Sequence, residues 1–428
     1  MKIAIIGGGA SGLMVAHFLR DEHDLHIFEK ADYLGGNIRT LNRNIKGFDL
    51  PEGVHIENGV TGFNATSYPH FCRFLKDLGM ETHGQYLPGS LFFQDGRYFQ
   101  APSLDMLRDS GLVGSLRESL KLTEMAADCG RFLLKSWNIS AHKAKGKGLL
   151  EFLGGPSDFA TWMRCVCMLS YSMPFEATAD YPAEIAVRLL KTWLLRFYWV
   201  FVKGGVFAYA DRILEDFQGQ ITLQARIKGV ERHESGVTLK FAEGREQNFD
   251  LVIFATTPDA VLPLLSDATP SERRRFATWK PNIAPTIAHT DVSMYTRYGV
   301  EPYSACDQFE RDPGKRYGYN TYLNHCYQLP KATPYSFAYD LEDLVDPSKI
   351  LDRYDHITPL YTVAALQSRD EIIETNGERH TFHVGAYLGD GLHEGALVSA
   401  LRVSRLISMG LRTTAKQAEE EMKFKMTA

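Results

Sequence analysis

Cysteine is scarce in this chain and poorly spaced for chemistry. Six are scattered over 428 residues (Cys72, Cys129, Cys165, Cys167, Cys306 and Cys326), and the one close pair reads C-V-C. That is neither a zinc spacing nor a C-x-x-C redox pair, and the dispersal suits reduced thiols in a cytoplasmic setting. Positive charge is not in excess either: 47 Lys and Arg face 52 Asp and Glu, a net charge of −5. A nucleic-acid partner would leave a basic footprint, so none is expected. No uncharged apolar run reaches the roughly 18 residues of a membrane-spanning helix. The opening "MKIAIIGGG" passes from a short apolar run straight into glycines, so no secretory leader is expected. No Ser/His/Asp or metal-ligand constellation stands at a persuasive spacing, and no metal is expected. What remains is an ordinary globular composition, 44% hydrophobic and long enough for two domains. Aromatic residues reach 12%, which suits an apolar cavity as well as a large core.

The strongest local pattern is at the start. "KIAIIGGGASGLMVAHFLR" is an apolar strand, Ile3 to Ile6, then a glycine turn, then an amphipathic helix. Gly7, Gly9 and Gly12 fill the three roles of G-x-G-x-x-G. The first makes the tight turn, the second lets backbone approach a pyrophosphate, and the third lets helix pack on strand. Ala10 and Ser11 open the helix whose N–H groups would meet the phosphates. A second strand, "DLHIFEK", ends at Glu29 and Lys30, where an acid accepts the hydroxyls of an adenosine ribose. A second such fingerprint for a nicotinamide cofactor is absent. At the other end, "FHVGAYLGDGLHEGALVSALRVSRLI" holds Gly385, Gly389, Gly391 and Gly395 at the start of another helix. A glycine turn opening a helix brings N–H groups onto an anion or a polar ring edge. The middle, from about 103 to 202, is mostly helical by its 3–4 spacing, and "YPAEIAVRLLKTWLLRFYWVFV" is its most apolar stretch. Read as one helix from Tyr181 to Val202, it carries Arg188, Thr192 and Arg196 on a polar face. It would line a substrate tunnel, touch a membrane surface, or simply fill a core. "IAPTIAHTDVSMY" and "YNTYLNHCYQLP" read as strands.

Gly35-Gly36 soon after Glu29 resembles the extended fingerprint of the FAD-dependent amine oxidase and phytoene desaturase superfamily. Most of that family has arginine directly after the pair, whereas this chain has Asn37, with Arg39 two places on. The "ENGVTGFN" segment, the G-G turn at Gly204-Gly205 and the A-T-T-P strand end resemble the same family. The closest resemblance is to bacterial FAD-dependent oxidoreductases with a G-A-Y-x-G-x-G-x-H-E end and an H-T-D strand, here His289-Thr290-Asp291. It covers nearly the whole chain. It implies an α/β fold, flavin amine oxidase-like: a Rossmann-type FAD-binding domain with an interleaved α+β substrate (cap) domain. The implied FAD domain is discontinuous, 1–90, 203–265 and 376–412, around a substrate domain of 91–202 and 266–375, with a polar tail at 413–428. The ADP half of FAD would lie on the first turn, Glu29, Lys30, Gly35, Gly36, Asn37 and Arg39, with the backbone near Ile227 at the adenine; Gly59, Gly62, Phe63 and Ala255 are further implied FAD contacts. Gly385 would lie beside the pyrophosphate and ribityl chain, and the flavin on Gly391, Leu392, His393 and Ala396. That would explain why the chain carries two glycine turns at opposite ends.

His393, Glu394, Tyr387 and Asn324 are the catalytic candidates, with Tyr322 and His289 behind them. His393 leads because histidine titrates near working pH. Glu394 and Asn324 each have a plain capping alternative. The expected activity is hydride removal from a hydrophobic substrate such as an acyl chain or polyene, in oxidase or desaturase fashion. A redox-neutral double-bond isomerase, a hydrophobic-amine oxidase and a non-catalytic flavin carrier remain open alternatives. The expected partner is a hydrophobic or lipid-like small molecule, with peripheral membrane contact open.

Overall fold

The strand Lys2–Ile6 (β1) is apolar on both faces, and its residues from Ile3 to Ile6 are buried. Such a run belongs in the middle of a parallel sheet covered on both sides. The computed structural model, which describes residues 1–101, 104–137, 144–195, 198–302 and 306–410, places it there. β1 pairs with Asp24–Phe28 (β2) and Leu251–Phe254, and the outer strands are Gln220–Thr222 and Thr381–His383. All five strands are parallel, although they come from four distant parts of the sequence.

The helices follow in chain order. Ala10–Leu19 (α1) lies against this sheet, and Pro69–Asp77 (α2) begins at a proline. Leu104–Lys121 (α3), interrupted at Gly111 with φ +67, and Thr123–Trp137 (α4) begin a helical layer. Leu149–Leu153 (α5), Asp158–Tyr171 (α6) and Ala183–Leu195 (α7) complete it. The final helix, His393–Ser408, packs along α1.

A second sheet of seven strands runs in the order Ile350–Leu360, Lys280–His289, Ser336–Tyr339, Arg316–Tyr322, Cys306–Asp312, Gly89–Phe92, Tyr98–Gln100. It is antiparallel except where Cys306–Asp312 meets Gly89–Phe92. A three-stranded antiparallel sheet, Ile227–Phe249, sits beside the first.

Two expectations change. The helix expected from Tyr181 to Val202 ends at Leu195, and Tyr198–Val202 is a strand paired with Thr82–Tyr86. Its aromatic and β-branched residues alternate, with Trp199 and Phe201 buried and Tyr198 exposed, which favours a pleated edge over a helix turn. Likewise "YNTYLNHCYQLP" is strand only to Tyr322, and Leu323–Tyr327 is a short helix. Trp193 is core: it stacks edge-on against Trp162 at 5.9 Å and fills the space over Gly89. Arg196, Phe197 and the tail at 413–428 lie outside the described residues.

Candidate functional site: two glycine turns and an aromatic wall

The first turn is built as its glycines demand. Gly7 has φ +112, and a Cβ there would stand 2.5 Å from the Ala255 carbonyl oxygen. A Cβ on Gly12 would stand 2.0 Å from the Gly7 carbonyl oxygen, so α1 can close on β1 only without a side chain. Gly9 differs. Its φ of −80 suits any residue, and a Cβ there would meet only Gly35 and Gly36 backbone, at 3.7 Å or more. The room over Gly9 is a groove walled by glycine backbone, since Gly9 bridges Gly35 and the Gly35 N–H donates to the Gly8 carbonyl at 2.9 Å.

α1 has no side-chain cap and no acid in its first turn. Its leading N–H groups are therefore left for an anion. Glu29, at the end of β2, is buried, and its carboxylate accepts from Gly8 N–H at 2.7 Å and Ala31 N–H at 2.9 Å. Each oxygen keeps a lone pair for a ribose hydroxyl. Lys30 is exposed. The Ala225 N–H donates to the Glu29 carbonyl, which brings the segment leading into Ile227 to the same place.

Asn37 and Arg39 lie against Ile350–Leu360, an outer strand of the seven-stranded sheet. The Asn37 amide donates to the Ile357 carbonyl at 3.1 Å. The buried Arg39 guanidinium pairs with Asp352 at 2.9 Å and lies 3.9 Å over the Tyr354 ring. Its charge is thus neutralised by the Ile350–Leu360 strand. Gly59 is held against Asn37 and His356, and Gly62 against Phe201. Phe63 is buried and pairs through its backbone with Val200.

The second turn surrounds the start of the final helix. Gly385 N–H donates to Ser399 Oγ at 3.0 Å, tying the turn to the helix it precedes. Asp390 Oδ1 accepts from Leu392 N–H at 3.0 Å and Gly395 N–H at 2.9 Å, and burial raises its carboxyl pKa. Ala396 N–H is taken by the Leu392 carbonyl. That leaves the N–H groups of His393 and Glu394 at the positive end of the helix. Gly391 has φ +83, and a Cβ there would stand 3.0 Å from the rings of both Tyr171 and Tyr361. Tyr171 stacks on Tyr181 at 4.4 Å, Tyr361 meets Trp279 at 5.9 Å, and Trp279 meets Tyr387 at 5.3 Å. Tyr171 ends α6 and Tyr361 follows the Ile350–Leu360 strand, so this aromatic wall is assembled from remote segments.

The catalytic candidates separate clearly. The His393 ring sits among Phe63 at 5.2 Å, Phe71 at 5.1 Å and Tyr209 at 6.1 Å, with Nε2 buried and unpartnered. Burial lowers its pKa to about 4, so the ring is neutral at working pH, contrary to the titrating group expected from the sequence. Glu394 caps a different helix. Its carboxylate accepts from the N–H groups of His70 at 3.2 Å and Phe71 at 3.0 Å, at the start of α2, and also contacts His70 Nδ1. Asn324 spends its amide on the Pro330 and Thr333 carbonyls and its oxygen on Tyr335 N–H, which holds a turn. The geometry therefore makes Glu394 and Asn324 structural rather than acid–base groups. Tyr387 is buried with its hydroxyl unpartnered. His289 is buried on Asn320 at 2.9 Å, and Tyr322 is half-buried at a strand end.

The sequence reading missed Asp390, Tyr171 and Tyr361. Asp390 had a local signal, a carboxylate five residues before Gly395 N–H in a glycine turn. The two tyrosines had none.

A Glu394→Leu variant leaves two N–H groups of α2 without their acceptor, and should lose on the order of 1–3 kcal/mol in urea unfolding. Glu394→Gln keeps an acceptor and should lose less, with turnover of the flavin-loaded enzyme nearly unchanged. Intact stability with collapsed turnover in Glu394→Gln would restore Glu394 as an acid–base group.

A glycine cradle under uncapped helix N–H groups, a buried carboxylate at the end of the second strand and a second helix start with the His393 and Glu394 N–H groups open beside an aromatic wall define a dinucleotide-binding flavoprotein, and the residues present fit FAD. The chain belongs to the flavin-containing amine oxidoreductase family, which matches it over residues 10–280. Among curated relatives, 15-cis-phytoene desaturase of Synechococcus elongatus is 31% identical over 94 residues, 22% of this chain and 18% of that protein. The chain spans about a fifth of the length of the curated relatives it matches first. Among solved structures, cyclohexylamine oxidase from Brevibacterium oxydans superposes with a TM-score of 0.67 at 16% identity, covering 96% of this chain and 99% of that one. A fatty acid isomerase from P. acnes that produces CLA superposes with a TM-score of 0.65 at 16% identity, covering 94% and 98%. At such identities these likenesses establish the fold. Among the described residues no helix is long and apolar enough to cross a membrane. None of the six cysteines forms a disulfide.

Proposed function

We propose that the enzyme removes hydride from an apolar substrate, an acyl chain or polyene, as an oxidase or desaturase. The observation that carries this reading is the aromatic wall of Tyr171, Tyr181, Tyr361, Trp279 and Tyr387 at the start of the final helix. A wall of this kind receives hydrocarbon and excludes water. FAD, when bound, supplies the hydride acceptor. The chain's own part is placement: Gly391 lets the turn press against Tyr171 and Tyr361, and Asp390 holds the helix start in register. Asp390 is also the candidate to take the proton from the neighbouring carbon, since burial raises its carboxyl pKa and so its basicity. Arg188 on α7 is exposed, its guanidinium donates to the Thr66 carbonyl at a long 3.4 Å, and its charge reaches Asp390. It is placed to meet an acidic head on the substrate. The six cysteines, none in a disulfide, suit a reducing, cytoplasmic setting.

A second reading, oxidation of a hydrophobic amine, is favoured by the same carboxylate, because Asp390 among tyrosines would attract a cation. The test uses the flavin-loaded enzyme with a cis-unsaturated fatty acid and, separately, a hydrophobic amine. A desaturase should bleach anaerobically and, in air, consume one oxygen per double bond formed. An isomerase should turn over without oxygen and leave the substrate mass unchanged. Bleaching by the amine alone would sink the acyl reading. Arg188→Ala should raise KM for the acid about ten- to a hundredfold with little change in kcat, the size of a lost charge-assisted contact. An unchanged KM would remove Arg188 from substrate binding.

A further inference from the structure

The strand Ile350–Leu360 is an outer strand, paired on one side with Lys280–His289. Its side chains alternate: Arg353, Asp355 and Ile357 are exposed, whereas Asp352, Tyr354 and His356 share the more covered face. Each of those three reaches the chain around Gly35-Gly36. Asp352 Oδ2 accepts from the Arg39 guanidinium at 2.9 Å and from the Asn58 amide at 2.8 Å. The Tyr354 hydroxyl accepts from the Tyr33 hydroxyl at 2.7 Å, and Tyr33 in turn accepts from Arg39 at 3.1 Å. His356 Nε2 lies 2.7 Å from the Asn58 carbonyl oxygen, and the Asn58 N–H donates to the Arg39 carbonyl. Tyr33 and Arg39 flank the glycine pair on either side.

Stability alone is a poor account of this cluster. The side chains of Arg39 and Asp352 are 7% and 12% exposed, and Arg39 Nε is buried without an acceptor. Withdrawing such a pair from water offsets most of what its attraction gives, and its better-attested use is to fix one arrangement of the chain over others. The segment from Tyr33 to Arg39 needs fixing. Gly35 and Gly36 have φ +126 and +59, and glycine loses more freedom on ordering than any other residue. On one side the Gly35 N–H is bonded to the Gly8 carbonyl of the first turn. On the other side the segment is held by the Ile350–Leu360 strand.

We propose that Arg39, Asp352 and Tyr354 are positioning residues for FAD. They hold the Gly35-Gly36 wall of the groove in shape before the cofactor arrives, so that binding does not have to order it. Arg39 acts through Asp352 and the Tyr354 ring, in place of the direct cofactor contact expected from the sequence. The inference rests on the assignment of the first turn to FAD. A Gly9→Val variant, which fills the groove itself, tests that assignment separately.

The test is the FAD dissociation constant of the apoprotein, with its Tm measured without and with FAD. Asp352→Asn and Arg39→Met should each weaken FAD about ten- to a hundredfold. The double variant should bind no worse than the weaker single one, because the two residues act as a unit. Tyr354→Phe keeps the ring under Arg39 and loses only the hydroxyl bonded to Tyr33. It should fold as the parent does and bind FAD about three- to tenfold more weakly. In each variant the Tm of the apo form should stay near the parent's, while the gain in Tm on adding FAD shrinks. A direct contact between Arg39 and the cofactor predicts the opposite for Asp352→Asn, which frees the guanidinium and would leave FAD bound equally or more tightly. That result would overturn the proposal. So would variants whose apo Tm falls while their FAD dissociation constant stays parental, because the cluster would then serve the fold alone. If Asp352→Asn does not fold, parental FAD affinity in Tyr354→Phe overturns the proposal by itself.

Discussion

A Gly9→Val variant is expected to purify folded and colourless. The Gly9 backbone is in an extended conformation open to any residue, and a Cβ there meets protein only at 3.7 Å or beyond. The chain can therefore fold with it. The added side chain projects into the groove between the first turn and Gly35-Gly36, where the pyrophosphate of FAD has to lie against backbone. Gly9→Ala should weaken flavin retention, and Gly9→Val should abolish it. The contrast is Gly12→Ala, whose Cβ would stand 2.0 Å from the Gly7 carbonyl oxygen. That substitution should damage the packing of α1 on β1 and lower the yield of soluble protein. Flavin absorbance, circular dichroism and the Tm of the apo and FAD-supplemented forms measure all three. A Gly9→Val protein with a full complement of FAD would overturn the assignment of the first turn.

Acid should unfold this protein well before its carboxylates are neutralised. Burial lowers the pKa of His17, His356 and His393 to about 4 and that of His383 to about 3, against an ordinary 6.5. In the unfolded chain these rings take protons as pH falls through 6.5, and in the folded protein they do not. Stability is thus full above pH 6.5 and is lost as pH falls toward 4. Glu57 works the other way. Its buried carboxyl, pushed up to about 8, keeps a proton that the unfolded chain releases above 4.5, so its contribution shrinks as pH rises from 4.5 to 8. Four histidines against one carboxyl leave a net loss of roughly 3 kcal/mol per pH unit between pH 6 and 5, comparable over that span to a large part of a domain's stability. Chemical unfolding of the flavin-loaded protein across pH 7.5 to 5 measures the slope. His393→Phe, which places a similar ring in the same aromatic cluster, should reduce it by about one proton. A flat profile from pH 7 to 5 would show that these histidines titrate normally.

The residues at the chain ends announced the cofactor because their constraints are local. A tight turn, a close backbone approach and a helix–strand contact each require glycine at a given position, and Gly7, Gly9 and Gly12 satisfy them within six residues. The carboxylate of Glu29 follows one strand later and reaches back to the Gly8 N–H. The same holds for the final turn, where Gly391 needs a positive φ and Gly395 N–H needs the Asp390 carboxylate. The roles of His393 and Glu394 were not legible in that way. Both lie in the turn that the motif marks, yet the ring of one is enclosed by Phe63 and Phe71, and the carboxylate of the other caps α2. Those partners are more than three hundred residues away in sequence.

By itself, then, the sequence determined the dinucleotide turn, the carboxylate that ends the second strand, the parallel-strand core and the helical middle, all of which rest on spacing within a dozen or two residues. Only the tertiary structure decided three other matters. It turned Tyr198–Val202 into a strand, because Thr82–Tyr86 offered it a ladder of hydrogen bonds that no helix end could match. It used Arg39 to tie the segment after Gly36 to Asp352, whose carboxylate lies on a strand that is sequence-remote. It also gathered Tyr171, Tyr361 and Trp279 from three separate elements around Gly391. Contacts of that kind are set by how whole elements pack, and packing depends on the summed shape and burial of distant side chains rather than on any local pattern.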